Sequence, residues 1–299
     1  MPVFAIRRPR PWRTLLRFCA LACLPLAGIA LAGEIRYPRE EGGNPYPFEL
    51  LELALSKAGN TDKVVQTPFR MMQDRALLEI GLEGGAVDIM ATMTSTEREA
   101  RLLPIRIPIT KGLIGWRIPV VTAERRRLFG KVSNLTALKG FQAVQGHDWP
   151  DLKILRHNGL RVHSVSSYDS LFNTLSSGRV DYLPLSLLEA HHALKGRKGL
   201  VIDQHVVLHY PAAIYYFVNP RNTALAETVR RGLEACIADG SFDRLFYRHF
   251  GEAIAQARLS ERTVIELDNP YLPASAPLER KGLWFRPDEA TRRQQDRLH

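Results

Sequence analysis

At 299 residues the chain is too long for a peptide, a knottin or a lone zinc finger, and its 45% apolar and 24% charged residues exclude both wholesale disorder and a multi-span membrane protein. The formal charge of +10 is not a nucleic-acid signature, because half of it belongs to Arg7, Arg8, Arg10, Arg13 and Arg17 and the remaining bases are scattered among acids. No nucleic-acid partner is expected, and Arg125-Arg126-Arg127 reads as a solvated face.

The basic segment through Arg17 precedes an uncharged run from Phe18 to Ala32, 15 residues that are too few for a membrane span and suited to a secretory signal. Ala30-Leu31-Ala32 puts small residues where a signal peptidase reads. Residues 1–32 are therefore expected to be a Sec-type signal cleaved before Gly33, with an uncleaved anchor as the alternative, and the protein is expected in the periplasm. Pro9 and Pro11 interrupt any twin-arginine reading of Arg7-Arg8, and Cys23 lacks the Leu three residues earlier that a lipid anchor uses. Cys19 and Cys23 leave with the signal. Cys236 then stands alone, on an apolar helical pattern with Val229, Leu233 and Ile237 that marks a buried, inert thiol.

Glu34 to Tyr37 reads as a strand, and Pro47 opens a helix carrying Phe48, Leu51, Leu55 and Ala58 that Gly59-Asn60 stops. Val64-Val65 is a second strand. Phe69, Met72, Ala76, Leu77 and Ile80 follow helical spacing up to Gly84-Gly85, and Val87 to Met90 forms a buried strand. This βαβαβ order predicts a mainly parallel sheet covered by helices. Thr96 to Glu99 matches a capping box, with Thr96 as the cap and Glu99 as its carboxylate.

Apolar stretches at Ile105 to Ile109 and Leu113 to Val121 follow, and a second α/β alternation then begins. It runs through a short helix at Leu135 to Lys139, a strand at Phe141 to Val144, a segment at Trp149 to His157, a strand at Val162 to Val165, a helical stripe from Tyr168 to Leu175 and a strand at Val180 to Leu183. Two β-rich runs, Val201 to Tyr210 and Ala213 to Val218, lead to helices at Thr223 to Ala238 and Ser241 to Phe250 joined by Asp239-Gly240. From about Tyr271 the apolar periodicity fades and Pro, Arg and Gln accumulate, so the tail is expected to be only partly ordered.

Four of these segments carry a resemblance. Gly85-Ala86-Val87-Asp88 leading into Thr92 to Arg98 resembles the first-lobe signature of family 3 extracellular solute-binding proteins, the periplasmic receptors that deliver polar amino acids to ABC transporters. Leu135 to Gly140 resembles that family's entry to its second lobe, Gly178-Arg179-Val180-Asp181 its second such element, and Leu225 to Phe250 its closing helix pair. The resemblance spans about residues 60 to 250. It implies an α/β, type II periplasmic-binding-protein-like fold, with each lobe a mixed, mainly parallel sheet flanked by helices. Two hinge crossings, near Trp116 to Val120 and His209 to Ala213, would join the lobes. Lobe 1 would comprise residues 33–117 and 212–270, lobe 2 residues 118–211, and the tail residues 271–299. The implied role is capture of a small solute by a monomer, with an ABC permease as partner or, in an alternative output, an envelope sensor.

A cleft at the strand C-termini exposes helix N-termini, whose free N–H groups suit anions. Thr92, Thr94 and Arg98 offer hydroxyls and a guanidinium in one lobe, and Gly146, His147 and Asp148 offer a turn in the other. Tyr46, Trp116, Trp149 and Tyr182 are aromatics near the expected cleft. Two departures from the family pattern bear on the ligand. Its arginine place is held here by Glu99, with Arg98 one residue early and so turned by about 100°. Its second-lobe acid place is held by Ser186. The expected ligand is therefore a small polar or anionic solute, not a standard amino acid.

No enzyme is expected. A dehydratase-like use of the scaffold would call on Asp148 or Glu189, which nothing in the sequence pairs, and no GxSxG elbow, P-loop or GxGxxG turn occurs. No cofactor motif is present. Nor is a metal expected, because adjacent His191 and His192 diverge on a helix and His205 and His209 are about 13 Å apart along a strand.

Overall fold

The computed structural model describes residues 1–3, 33–39 and 44–287. Residues 1–31 and 32–299 are two separate units. The expected signal, with Cys19 and Cys23, lies outside the described residues, as do residues 288–299 of the expected tail. Among the described residues no helix is long and apolar enough to cross a membrane.

Lobe 1 opens with β1 (Glu34–Arg39), α1 (Tyr46–Lys57) and β2 (Lys63–Arg70). β1 and β2 pair in parallel, Ile35 opposite Val64, as a strand–helix–strand crossover requires. Pro47 in the first turn of α1 supplies a preset φ, and the helix buries Leu50, Leu51, Ala54 and Leu55. Next come α2 (Gln73–Gly81), β3 (Ile89–Met93), α3 (Thr96–Glu99) and β4 (Leu103–Ile105). The helical stripe expected from Phe69 onward starts later than its spacing suggests. Phe69 belongs to β2, Met72 is the extended residue before α2, and both are 56% exposed. The α2 core face is Ala76 and Ile80.

The cap of α3 also differs, by one residue. Ser95, not Thr96, is in extended conformation and accepts the Arg98 N–H at 3.2 Å. Thr96 is thereby free to donate its own N–H to the Tyr271 carbonyl at 3.0 Å, and Glu99 turns to Thr94 and Arg106 instead of closing a box.

The chain leaves lobe 1 along β5 (Trp116–Thr122), then forms α4 (Leu135–Leu138), β6 (Gln142–Gly146), α5 (Pro150–His157), β7 (Arg161–Val165), α6 (Tyr168–Ser176), β8 (Leu183–Ser186), α7 (Ala190–Ala193), β9 (Leu200–Ile202) and β10 (Val206–His209). β6 and β7 are the parallel pair of lobe 2, Val144 opposite His163. Val144, Leu171, Leu175, Leu183 and Leu185 share one buried cluster, and Phe129, Ala143 and Tyr182 share another.

The return crossing runs beside the outward one. Trp116 pairs with His209 and Arg117 with Leu208 in antiparallel register, after which β5 continues against β8 and β9. Tyr210 to Ala213 then leads into β11 (Ile214–Val218), which lies antiparallel between β3 and β4. The β1–β2 and β6–β7 pairs are parallel sheets of their own, the β3–β11–β4 sheet is wholly antiparallel, and the sheet of the crossing strands is mixed. α8 (Thr223–Ala238) and α9 (Ser241–Ala257) complete the lobe 1 core through Val229, Leu233, Cys236, Phe242 and Phe246. Burial raises the Cys236 thiol pKa, as an inert packing cysteine requires.

A last strand, β12 (Thr263–Glu266), pairs in parallel with β10. Its Ile265 packs with Val206 and Leu208. Asn158 and Asp268 then exchange two hydrogen bonds of 2.8 and 2.9 Å, and the chain returns to bury Leu283 and Phe285 against lobe 1 residues.

Candidate functional site

Between the lobes lies a cavity of about 640 Å³. Lobe 1 contributes Gln73, Thr92 and Thr110 to its wall, and lobe 2 contributes Gly146, Asp148, Trp149, Tyr168, Ser186 and Glu189. Its floor includes Arg117 from the outward crossing and Asp151 from the first turn of α5.

On the lobe 1 side, Arg98 stands behind the wall. Its guanidinium donates to the Thr92 hydroxyl at 2.8 Å, the Met93 carbonyl at 2.7 Å and the Gln73 amide oxygen at 2.6 Å. Burial lowers its pKa while the charges of Asp74, Asp151 and Asp148 act the other way. Arg98 thus orients two side chains that do line the cavity. Replacing it with alanine is expected to cost about 2 kcal/mol of stability, the scale of charge-assisted hydrogen bonds that leave buried acceptors behind. Urea denaturation measures this; a loss under about 0.5 kcal/mol would show that the three bonds contribute nothing net.

On the lobe 2 side, Gly146 lets the chain turn against an indole. A Cβ at that position would meet the Trp149 ring at 2.9 Å, so the close packing of Trp149 over the β6 end requires glycine. Ser186 is fully buried, and its hydroxyl accepts the Leu188 N–H at 3.2 Å. The carboxylate absent at position 186 is supplied three residues later, where Glu189 accepts the Ser186 N–H at 3.0 Å.

The floor is a network of buried charge. Arg117 pairs with Asp151, donates from Nε to the Tyr210 hydroxyl at 2.9 Å and approaches Glu189 at 3.4 Å, while Tyr210 donates to Asp151. Burial, the largest single influence, would lower the Arg117 pKa, but the charges of Asp151, Tyr210 and Glu189 and the Tyr210 hydrogen bond together outweigh it and the net shift is upward. Burial pushes Glu189 up from the ordinary carboxylate range against the pull of Arg117.

Of the ten expected ligand-binding residues, Thr92, Gly146, Asp148 and Ser186 line this cavity together. Tyr46 does not. It is buried in the lobe 1 core and its hydroxyl donates to the Ile109 carbonyl at 2.6 Å. Thr94 is turned away to Glu99 at 2.7 Å, and Arg98 is set behind Thr92. Trp116 stacks on His209 at a centroid distance of 4.1 Å beside the crossings. Exposed His147 bonds the Val165 carbonyl at 3.3 Å, and Tyr182 packs edge-on against Phe129 in the lobe 2 core. Sequence reasoning missed Arg117, Asp151 and Tyr210 as site residues. The one available signal was a lone arginine inside the apolar run Trp116 to Val121. Among the described residues no three histidine, cysteine or acidic side chains gather as a metal would need.

No family model matches the chain, and no curated protein sequence matches it. Solved structures do. An ancestral arginine-binding protein bound to arginine is similar with a TM-score of 0.56 at 20% identity, over 73% of this chain and 99% of that one. A Salmonella typhimurium periplasmic binding protein of high arginine specificity gives 0.55 at 13% identity over 73% and 100%. The probable amino-acid ABC transporter extracellular-binding protein of Bacillus subtilis gives 0.54 at 19% identity over 74% and 100%. Sequence identity is low throughout, while nearly the whole of each of these proteins is covered by this chain. The chain therefore has the two-lobed, type II periplasmic-binding-protein fold in a divergent form.

Proposed function

We infer that this is an exported solute-binding protein that captures a small polar solute between its lobes, for delivery to an ABC-type permease. The observation that carries this reading is the cavity itself, walled by both lobes at the place where two adjacent strands cross between them. A solute there touches both walls only when the lobes close, so its differential contacts set the open–closed equilibrium. An ion pair between the lobes, Lys153 to Glu97 at 3.2 Å, is exposed on both sides and contributes little by itself.

Thermal-shift screening of the full chain against amino acids, amines, organic acids and sugars tests the reading. A true ligand at about 100 times its Kd adds about 2.7 kcal/mol and raises Tm by roughly 5–10 °C. Ser166, an exposed residue on the cavity rim, provides the control. Ser166→Trp is expected to leave the ligand-free Tm unchanged and to abolish the ligand-induced rise. A rise that survives this substitution would place the ligand elsewhere and end the cleft reading.

A further inference from the structure

The charges on the cavity wall are unequal. Among its lining residues, Asp148, Asp151 and Glu189 are set against one guanidinium, Arg117. Arg117 is already committed to Asp151 and Tyr210. Arg98 does not line the cavity, and His249, which does, is held by Glu49 at 3.0 Å. Beside the exposed His192 imidazole, a ligand carboxylate would find only a guanidinium that a buried aspartate already neutralises.

The opposite holds for a positive group. The Asp148 side chain is 11% exposed; His147 stands 3.9 Å away, beyond hydrogen-bond range, and Arg98 behind the wall feels its charge without a hydrogen bond to it. A carboxylate so enclosed is costly without a partner. Glu189 commits one oxygen to the Ser186 N–H and Arg117, yet its side chain keeps 38% of its exposure. Thr110, 2% exposed, lines the same cavity with a hydroxyl that has no hydrogen-bond partner among the described residues. The Trp149 and Tyr168 rings, 6.4 Å apart, form an aromatic wall on the same lobe, suited to a cation and its hydrocarbon stem.

The geometry points to an organic cation, an amine or guanidine carrying no carboxylate, as the solute of this cleft, with Asp148 and Glu189 holding its charge. This rests on the reading of the cleft as the solute site. It departs from the anionic ligand that the Thr92-to-Arg98 turn suggests in sequence, because the guanidinium of that turn is spent on Thr92, Met93 and Gln73.

Titration calorimetry of the full chain with agmatine, arginine and glutarate, at one pH and salt concentration, tests it. Agmatine is expected to bind, and at least tenfold more tightly than arginine, which differs by its carboxylate; glutarate is expected to give no heat. Asp148→Asn and Glu189→Gln are each expected to weaken agmatine about tenfold or more, on the scale of broken charge pairs. Both variants should keep the parent Tm. Among the described residues the Asp148 side chain makes no hydrogen bond, and Glu189→Gln keeps the oxygen that accepts from Ser186. Tighter binding of arginine or glutarate than of agmatine would overturn the cation assignment; its loss in Ser166→Trp would show that the cleft reading stands nonetheless. Absence of heat from all three also overturns the assignment, and the wider thermal-shift screen then decides the cleft reading separately.

Discussion

Arg117→Ala is expected to lower the unfolding free energy by about 3–5 kcal/mol, because it strands a buried carboxylate. Arg117 and Asp151 have side chains only 3% and 5% exposed, and Tyr210, whose hydroxyl serves both, is fully buried. Removing the guanidinium leaves Asp151 with a single hydroxyl donor among side chains and returns no compensating solvation. For a chain of this size the corresponding fall in Tm is roughly 6–20 °C. Arg117→Lys should recover part of the loss, since an ammonium restores the charge but not the fork that reaches Asp151, Tyr210 and Glu189 together. Combining Arg117→Ala with Asp151→Leu should recover more, because no charge is then left unpaired. The network also joins three segments that are far apart in sequence. Arg117 is on the outward crossing, Tyr210 on the return crossing and Asp151 at the start of α5. Urea denaturation of the three variants decides the matter. A loss below about 1 kcal/mol for Arg117→Ala would mean that water reaches the pair.

Much of this fold was legible where local signals were strong. The bounds of α8 follow from its apolar period and the Asp239-Gly240 joint, and α6 from the helical stripe of Tyr168, Leu171, Phe172 and Leu175. Segments whose structure is set from a distance were not legible. β12 is four residues with one buried side chain, so its pairing with β10 leaves no periodic trace. Phe69 and Met72 match a helical period, yet β2 runs on to Arg70 because Arg39 pairs with it after an irregularity in register. The site divides in the same way. Thr92, Asp148 and Ser186 follow from the ends of strands, where such clefts open. Tyr46, Trp116 and Tyr182 were expected there because large aromatics near a cleft suit ligands, but each fills a core or the space beside a hinge instead. Arg98 lies close to the cavity in space while its hydrogen bonds point inward, a distinction that spacing cannot carry.

Gly232→Val is expected to cost about 3 kcal/mol or more, near the upper end for overpacking, because α8 lies in backbone contact with α1. A side chain at Gly232 would overlap the carbonyl oxygen of Ala54, a rigid group within α1. The obstacle is backbone, so no rotamer change relieves it and the two helices must separate. Separation would loosen Leu50, Leu51, Val229 and Leu233, which belong to one buried cluster. Even Gly232→Ala should destabilise by about 1–3 kcal/mol, although alanine is the better helix former by nearly 1 kcal/mol. Gly251 in α9 supplies the contrast, since a Cβ there meets nothing closer than the Tyr247 Cβ at 4.0 Å. Gly251→Ala should therefore stabilise by about 0.5–1 kcal/mol through propensity alone. The same substitution at two helical glycines thus carries opposite signs. Ala54→Gly should fail to rescue Gly232→Val, since it removes a methyl and leaves the obstructing oxygen in place. Rescue in chemical denaturation would show instead that side-chain crowding, not backbone contact, sets the distance between α1 and α8.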